Sequence, residues 1–357
     1  MLKLLCATRK YPPSVGGMEK FCYELFAKLT PEKEIQKNIL SLGKSQKHLI
    51  WFMPYCALYL LFNARKYDVI YYGDSLLCGP AFFAKLVAPH TKAVVDVHGL
   101  DVIYPNKVYQ LYLKLFYNCF DSYICNSKNT EDTLHARGIN NTVIVNRGVD
   151  TNKFKIATED KGTLKQRYHL EPDMHIILTV GRLIKRKGVE WFIRNVMNEL
   201  RDKPICYFII GGGEEENNIK IAVRDHHLEE KVKLLGRVSE EELNNLYLHS
   251  DIFVMPNIYV PNDPEGFGIV AIEASLAKLI VLASNIDGIG DAIVDGQNGF
   301  LLEAGNAPQY IDKIVDIMNY PQKYEVLLES FSSFTAGKFS LDSISDQYID
   351  VFRKVLE

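Results

Sequence analysis

At 357 residues the chain exceeds what one hydrophobic core usually spans, since single domains cluster at roughly 100 to 200 residues, so two domains are expected. Its composition, 47% hydrophobic and 24% charged, has no long polar tract and excludes a disordered chain. The net charge of −3 is unevenly placed: residues 1–150 carry 18 Lys and Arg against 12 Asp and Glu, and residues 151–357 carry 23 against 32. The basic first half suits an anionic partner, although freely varying basic residues on surface helices read the same way.

Met1 leads directly into the apolar run Leu2 to Ala7, which reads as a first strand and not as a signal peptide. Further strand candidates in the first half are Asn38 to Leu42, Asp68 to Tyr72, Ala93 to Val97, Ser122 to Cys125 and Thr142 to Val145. Helix-length patterns such as Glu19 to Leu29 and Lys107 to Phe120 separate them. That rhythm predicts βαβ units and a mostly parallel sheet. The uninterrupted apolar segment Leu49 to Phe62 is too short for a spanning helix and contains Pro54. It reads as a buried or cleft-lining helix, with dipping into a membrane interface kept open by Lys44, Lys47 and His48 ahead of it.

The polar stretch Thr151 to Leu170 marks a domain boundary, and the rhythm then restarts. His175 to Val180, Cys206 to Ile210, Val232 to Leu235, Ile252 to Met255, Leu279 to Ala283 and Gly299 to Leu302 are the second set of strands. The fold class expected is α/β, two Rossmann-like doubly wound domains facing across a cleft. Seven cysteines without C-x-x-C spacing fit neither a disulfide framework nor a zinc ribbon, and a reducing cytoplasm is the simplest compartment.

Chemistry in such sheets belongs to the loops beyond the carboxyl ends of strands. After the first strand, Gly16 and Gly17 stand at the mouth of a helix; they either admit a phosphate to the helix N-terminus or merely supply a turn with positive φ. His98, in Asp96-Val97-His98-Gly99-Leu100-Asp101, reads as a hydroxyl or proton partner or as a satisfied structural histidine. In the second half, Arg182, Lys185, Arg186 and Lys187 crowd one strand-to-helix turn, a pattern that suits a diphosphate or a solvated basic surface. Glu265-Gly266-Phe267-Gly268-Ile269 runs into a helix carrying Glu273. Its glycines free backbone N–H groups for a phosphate, and its two carboxylates are acceptors suited to sugar or ribose hydroxyls. Apolar neighbours around Glu273 argue against a surface role. Neither Gly16-Gly17 nor Gly211-Gly212-Gly213-Glu214 forms G-x-G-x-x-G, which disfavours a nicotinamide dinucleotide fold.

Taken in order, P-P-S-V-G-G-M-E at 12–19, H-G-L-D at 98–101, N-R-G-V-D at 146–150, G-R-L-I-K-R-K-G at 181–188, G-G-G-E at 211–214 and E-G-F-G-I-V-A-I-E-A at 265–274 resemble the family 4 retaining glycosyltransferases of GT-B architecture. The resemblance covers nearly the whole chain. It implies an acceptor-binding domain at 1–155, a nucleotide-sugar-binding domain at 156–338 and a C-terminal helix at 339–357 crossing back to the first. It also implies that Arg182 and Lys187 neutralise the donor diphosphate, Glu265 holds donor-sugar hydroxyls and Glu273 the ribose hydroxyls. N–H groups near Phe267, Gly268 and Ile269 would meet the phosphates and sugar, Gly16 and Gly17 the diphosphate, and His98 the transferred sugar.

The reaction implied is transfer from a nucleoside diphosphate sugar to a hydroxyl of a saccharide or lipid-linked acceptor, with the anomeric configuration retained. No cofactor, metal or nucleic acid is expected, and the setting implied is cytoplasmic, at the inner face of a membrane. Three departures stand out: Lys278 and Ile280 lie where the family often has the Gly and Pro of A-x-G-x-P-V, the usual Pro-Ser before the glutamate is Pro256-Asn257, and the segment 258–264 is longer than the usual spacer. Two rival readings are a nucleotide-sugar epimerase of the same fold, which incubation with donor alone would reveal, and a non-catalytic sugar-nucleotide-binding subunit, which turnover by the isolated chain would exclude.

Overall fold

The structure, a computed structural model, describes all residues except 15, 44, 45, 155, 156 and 262. Lys44 ahead of the apolar segment, Val15 in the Gly-Gly loop, Asn262 in the long spacer and the boundary expected between Lys155 and Ile156 therefore lie outside the described residues. The chain forms two units, Met1–Gly148 with Leu341–Glu357, and Val149–Ser340.

Unit 1 is built on six strands: β1 (Leu2–Thr8), β2 (Ile35–Ser41), β3 (Val69–Tyr72), β4 (Lys92–Val97), β5 (Ser122–Cys125) and β6 (Thr142–Ile144). They pair in parallel in the order β2-β1-β3-β4-β5-β6. Parallel strands need crossover helices, and those helices bury both sheet faces. Side chains alternate accordingly: Leu5 and Ala7 enter one core, Leu4 and Cys6 the other. Helices Leu49–Asn63, Cys78–Val87 and Lys107–Phe116 cover the first face, and Gly17–Lys28 and Leu341–Lys354 the second. The carboxy-terminal helix thus completes unit 1, with Tyr348 set edge-on to Tyr71 of β3 at 6.0 Å.

Unit 2 has β7 (His175–Val180), β8 (Ile205–Ile210), β9 (Val232–Gly236), β10 (Ile252–Met255), β11 (Ile280–Ser284) and β12 (Phe300–Leu302), all parallel in the order β12-β11-β10-β7-β8-β9. All six residues of β8 are buried, as expected of a strand covered on both faces. The sheet order reverses between β7 and β10, and Ile252 of β10 lies opposite Ile177 of β7.

Two expectations change. The second unit begins at Val149, inside what composition assigns to the first domain. Val149 N–H donates to Phe339 O at 2.9 Å, and Phe154 packs on Tyr247 with ring centroids 5.2 Å apart. The polar residues that follow Asp150 hide these anchors from a reading by composition. The segment Leu49 to Phe62 is not a buried helix either. Phe52, Cys56 and Leu60, spaced four apart, enter the core, while Trp51, Tyr55, Leu58 and Phe62 are exposed; a sequence apolar on all sides gives no sign of which stripe packs. No described helix is long and apolar enough to cross a membrane.

Candidate active site

The strand order reverses between β7 and β10, and open parallel sheets bind ligands beyond the carboxyl ends of their strands at such a point. The loop after β7 turns once at Lys185–Lys187 and ends at Gly188; the loop after β10 runs from Pro256 to Gly268. The two loops touch backbone to backbone. Ile258 N–H donates to Arg186 O at 2.9 Å, and a Cβ on Gly188, whose φ is 64°, would stand 1.8 Å from Pro256 O. Only glycine fits there. Glycine serves the same closeness one loop along, where Cβ atoms on Gly211 and Gly213 would overlap Gly181 O and Leu183 O.

The crowded cations separate. Arg182 and Lys185 are exposed, whereas Arg186 is buried and Lys187 nearly so. Lys187 Nζ lies 2.5 Å from Glu265 Oε2, and Asn257 Nδ2 donates to the same oxygen at 3.0 Å. Arg186 binds Asp263 Oδ1 through Nη1 at 2.7 Å and brings Nε to 3.5 Å from Glu265 Oε2. The Arg182 carbonyl accepts from Ile184 N–H at 3.0 Å, but its guanidinium makes no hydrogen bond or ion pair with any described residue, which leaves a full positive charge beside this turn for an external anion.

Glu265 is itself buried, 8% exposed. Burial raises its pKa, but Lys187, Arg186 and the Asn257 hydrogen bond together outweigh burial and hold the carboxyl at about 2. Its backbone is fixed as well: Glu265 N–H donates to Asp287 Oδ2 at 3.0 Å, and Gly288 N–H donates to Glu265 O at 3.1 Å. Oε1 makes no hydrogen bond to a described residue, so this pre-ionised carboxylate keeps an acceptor for a ligand hydroxyl.

Gly268 starts helix Ile269–Leu276 in the left-handed conformation, φ 88°, and no side chain caps the helix. Phe267 points away into the core, 5.9 Å from the Phe339 ring, and Ile269 packs partly against the same core. Both therefore have only backbone to offer a ligand. Glu273 has both oxygens engaged: Lys153 Nζ at 3.1 Å from Oε1 and the Tyr247 hydroxyl at 3.2 Å from Oε2. Burial, then the neighbouring Glu273 charge, pushes the Tyr247 phenol well up, which keeps it a donor.

In unit 1 the sheet order turns at β1 and β3, and Arg9 and Asp74 from the loops after those strands pair at 2.9 Å. Gly16 is extended, with φ 167°, and Gly17 does not have positive φ either, so the alternative of a positive-φ turn falls. Gly16 instead leaves room for Glu19, whose carboxylate would lie 2.3 Å from an added Cβ and pairs with Lys10 at 3.1 Å. Gly17 faces open space.

His98 Nε2 meets Gly73 O at 2.9 Å, and Arg147 Nη2 contacts His98 Nδ1. A carbonyl only accepts and a guanidinium only donates, so this geometry requires the tautomer protonated on Nε2. Arg147 also binds the fully buried Asp96 at 2.9 Å, and Tyr71 and Tyr348 donate to the same Asp96 oxygen at 2.8 and 3.1 Å. Among the described residues, one group of carboxylates and imidazole, Glu131, Asp132 and His135, has a metal-ligand arrangement. It lies on a unit 1 helix, with Glu131 tied to Lys128 and Thr142.

Two family models match the chain in succession: "Glycosyltransferase Family 4" over residues 21–153 and "Glycosyl transferases group 1" over residues 160–330. The chain belongs to the family 4 type of glycosyltransferases. An Escherichia coli UDP-Gal:alpha-D-GlcNAc-diphosphoundecaprenol alpha-1,3-galactosyltransferase is 27% identical over 87% of this chain and 81% of its own length. An alpha-D-kanosaminyltransferase of Streptomyces kanamyceticus is 26% identical over 57% of this chain. The chain spans 52% to 66% of the length of that relative and of two archaeal glycosyltransferases from Methanocaldococcus jannaschii. Two solved structures share the fold: a Rickettsia africae glycosyltransferase, with TM-score 0.82 and 19% identity over 100% of this chain and 99% of its own, and Anabaena HepE in complex with UDP and glucose, with 0.77 and 18% over 99% and 100%.

Of the residues singled out from the family 4 resemblance, unit 2 gathers Arg182, Lys187, Glu265, Phe267, Gly268, Ile269 and Glu273 on the loops and helix after β7 and β10. Gly16, Gly17 and His98 lie in unit 1, on loops after β1 and β4. Sequence reasoning missed Arg186, Asn257, Lys153, Tyr247 and the Asp96–Arg147–Tyr348 cluster. Arg186 sits within a noted motif, and Arg147 within N-R-G-V-D, but nothing in the spacing shows which way either side chain turns.

Proposed function

We propose that the chain transfers a glycosyl group from a nucleoside diphosphate sugar to an acceptor hydroxyl, with retention of configuration, in the assembly of a surface polysaccharide or glycolipid. The observation that carries this reading is the pairing of an unengaged Arg182 with the fixed Lys187–Glu265 couple at the strand-order reversal. Arg182 and Lys187 supply positive charge where a departing nucleoside diphosphate gathers negative charge, which lowers the barrier to leaving. The uncapped start of helix Ile269–Leu276 adds backbone N–H groups and the positive end of its dipole. These groups do the electrostatic work assigned elsewhere to a metal, so the reading asks for none. Glu265 orients the sugar through Oε1, and Glu273 the ribose, exchanging part of its bond to Lys153 or Tyr247.

In this reading Glu265 Oε1 accepts from a sugar hydroxyl and does not attack the anomeric carbon, and the leaving phosphate takes the acceptor proton on the same face. Both ring nitrogens of His98 are engaged within unit 1, Nε2–H with Gly73 O and Nδ1 with Arg147, so the imidazole acts on a sugar only by giving up its bond to the Gly73 carbonyl. The name of the undecaprenol-linked galactosyltransferase relative supports a lipid-linked saccharide acceptor, and the basic first half suits an acceptor held at the inner face of a membrane. The test is turnover of nucleotide-sugar with a diphospholipid-linked saccharide, read by NMR at the new anomeric centre. Retained configuration is expected, and an inverted product would overturn the mechanism.

A further inference from the structure

We propose that unit 1 docks through the outer face of three helices onto a membrane surface carrying anionic headgroups. Helices Leu49–Asn63, Cys78–Val87 and Lys107–Phe116 lie side by side, the first against the second and the second against the third, with their inner sides in one core. Phe82 and Phe116 join the last two with ring centroids 5.3 Å apart. The outer sides leave Trp51, Phe62 and Val108 75%, 76% and 77% exposed, with Tyr55, Leu86 and Leu115 exposed among them. Single exposed apolar side chains are ordinary, but a run of them across three adjoining helices marks a surface that something covers.

Charge identifies the cover. Residues 46–67, 75–95 and 102–120, which contain these helices and their flanks, include no Asp or Glu. Lys47, Arg65, Lys66, Lys107 and Lys114 are all exposed there. A second copy of the chain would bring this cationic face against itself across a two-fold axis. Anionic headgroups would neutralise it, while the aromatic and aliphatic side chains enter the boundary between headgroups and acyl chains, where Trp and Tyr are favoured. Since no described helix is long enough to cross, the face lies on the membrane. It uses no residue of the loops after β7 and β10, so docking and sugar transfer can fail separately.

The test uses the full chain and vesicles of phosphatidylcholine with or without phosphatidylglycerol. Trp51 and Trp191 are the two tryptophans, so in the Trp191→Phe variant Trp51 alone reports. The expected result is flotation with the phosphatidylglycerol vesicles and a blue shift of Trp51 emission, both weakened by salt. A Trp51→Ser/Phe62→Ser/Val108→Ser variant with an unchanged melting midpoint should lose flotation about tenfold or more. Lys107→Glu/Lys114→Glu, which leaves the apolar contacts intact, should also lose it. Absence of flotation, flotation indifferent to both variants, or a vesicle-free dimer that shields Trp51 would each overturn the proposal.

Discussion

Glu265 concentrates the electrostatics of unit 2 in one carboxylate. Its folded pKa of about 2 lies below the ordinary 4.5. The stability it contributes is therefore present above the ordinary value and is lost as pH falls from 4.5 toward 2, a loss on the order of 3 kcal/mol. Denaturation of Glu265→Gln between those pH values should show a correspondingly shallower fall than the wild type; identical slopes would contradict the Lys187–Arg186 account. Arg186 makes a different contribution. It fastens the spacer after β10 at Ile258 by its carbonyl and at Asp263 by its guanidinium, so it positions Glu265 without reaching solvent. Arg186→Ala should cost about 2 kcal/mol of stability and raise the donor KM more than it lowers kcat. An unchanged KM would remove it from the site. Neither role is visible in the sequence, where Arg186 is one of four similar cations, because burial depends on which way a three-residue turn faces.

At the scale of elements, the twelve strands among the described residues were each legible. Buried parallel strands are continuous apolar runs bounded by turn residues, and β8 and β10 are plain examples. The miss at the start of β2 has a local cause: as an edge strand it exposes Gln36, Asn38 and Ile39, so its polar residues mask it. Helix Ile269–Leu276 closes with Lys278 at φ 62°, where the family pattern has glycine. The departure has therefore kept the left-handed turn while giving up the residue that adopts it without strain. Lys278 also pairs with Glu329, but an exposed pair contributes little. Lys278→Gly should raise stability by up to about 1 kcal/mol in chemical denaturation. A loss of stability would mean that the lysine contacts matter more than the backbone.

For the whole molecule, the sequence conveyed two parallel α/β units but not their seams. The chain returns to unit 1 at Leu341, and Tyr348 reaches Asp96 across 252 positions of sequence, a pairing that no local pattern encodes. Similarly, Lys153 meets Glu273 across 120 positions, so a residue in a stretch read as boundary belongs to the candidate site. Motif spacing located the loops, and side-chain direction came only with the fold. The central claim is that the site beyond β7 and β10 holds a nucleoside diphosphate through Arg182 and Lys187. Calorimetric titration of the wild type and of Arg182→Ala/Lys187→Ala with UDP, GDP and ADP tests it most directly. One nucleotide should bind the wild type and bind the double variant roughly a hundredfold more weakly, two charge-assisted contacts at about 1.5 kcal/mol each. Wild-type affinity in the double variant would contradict it.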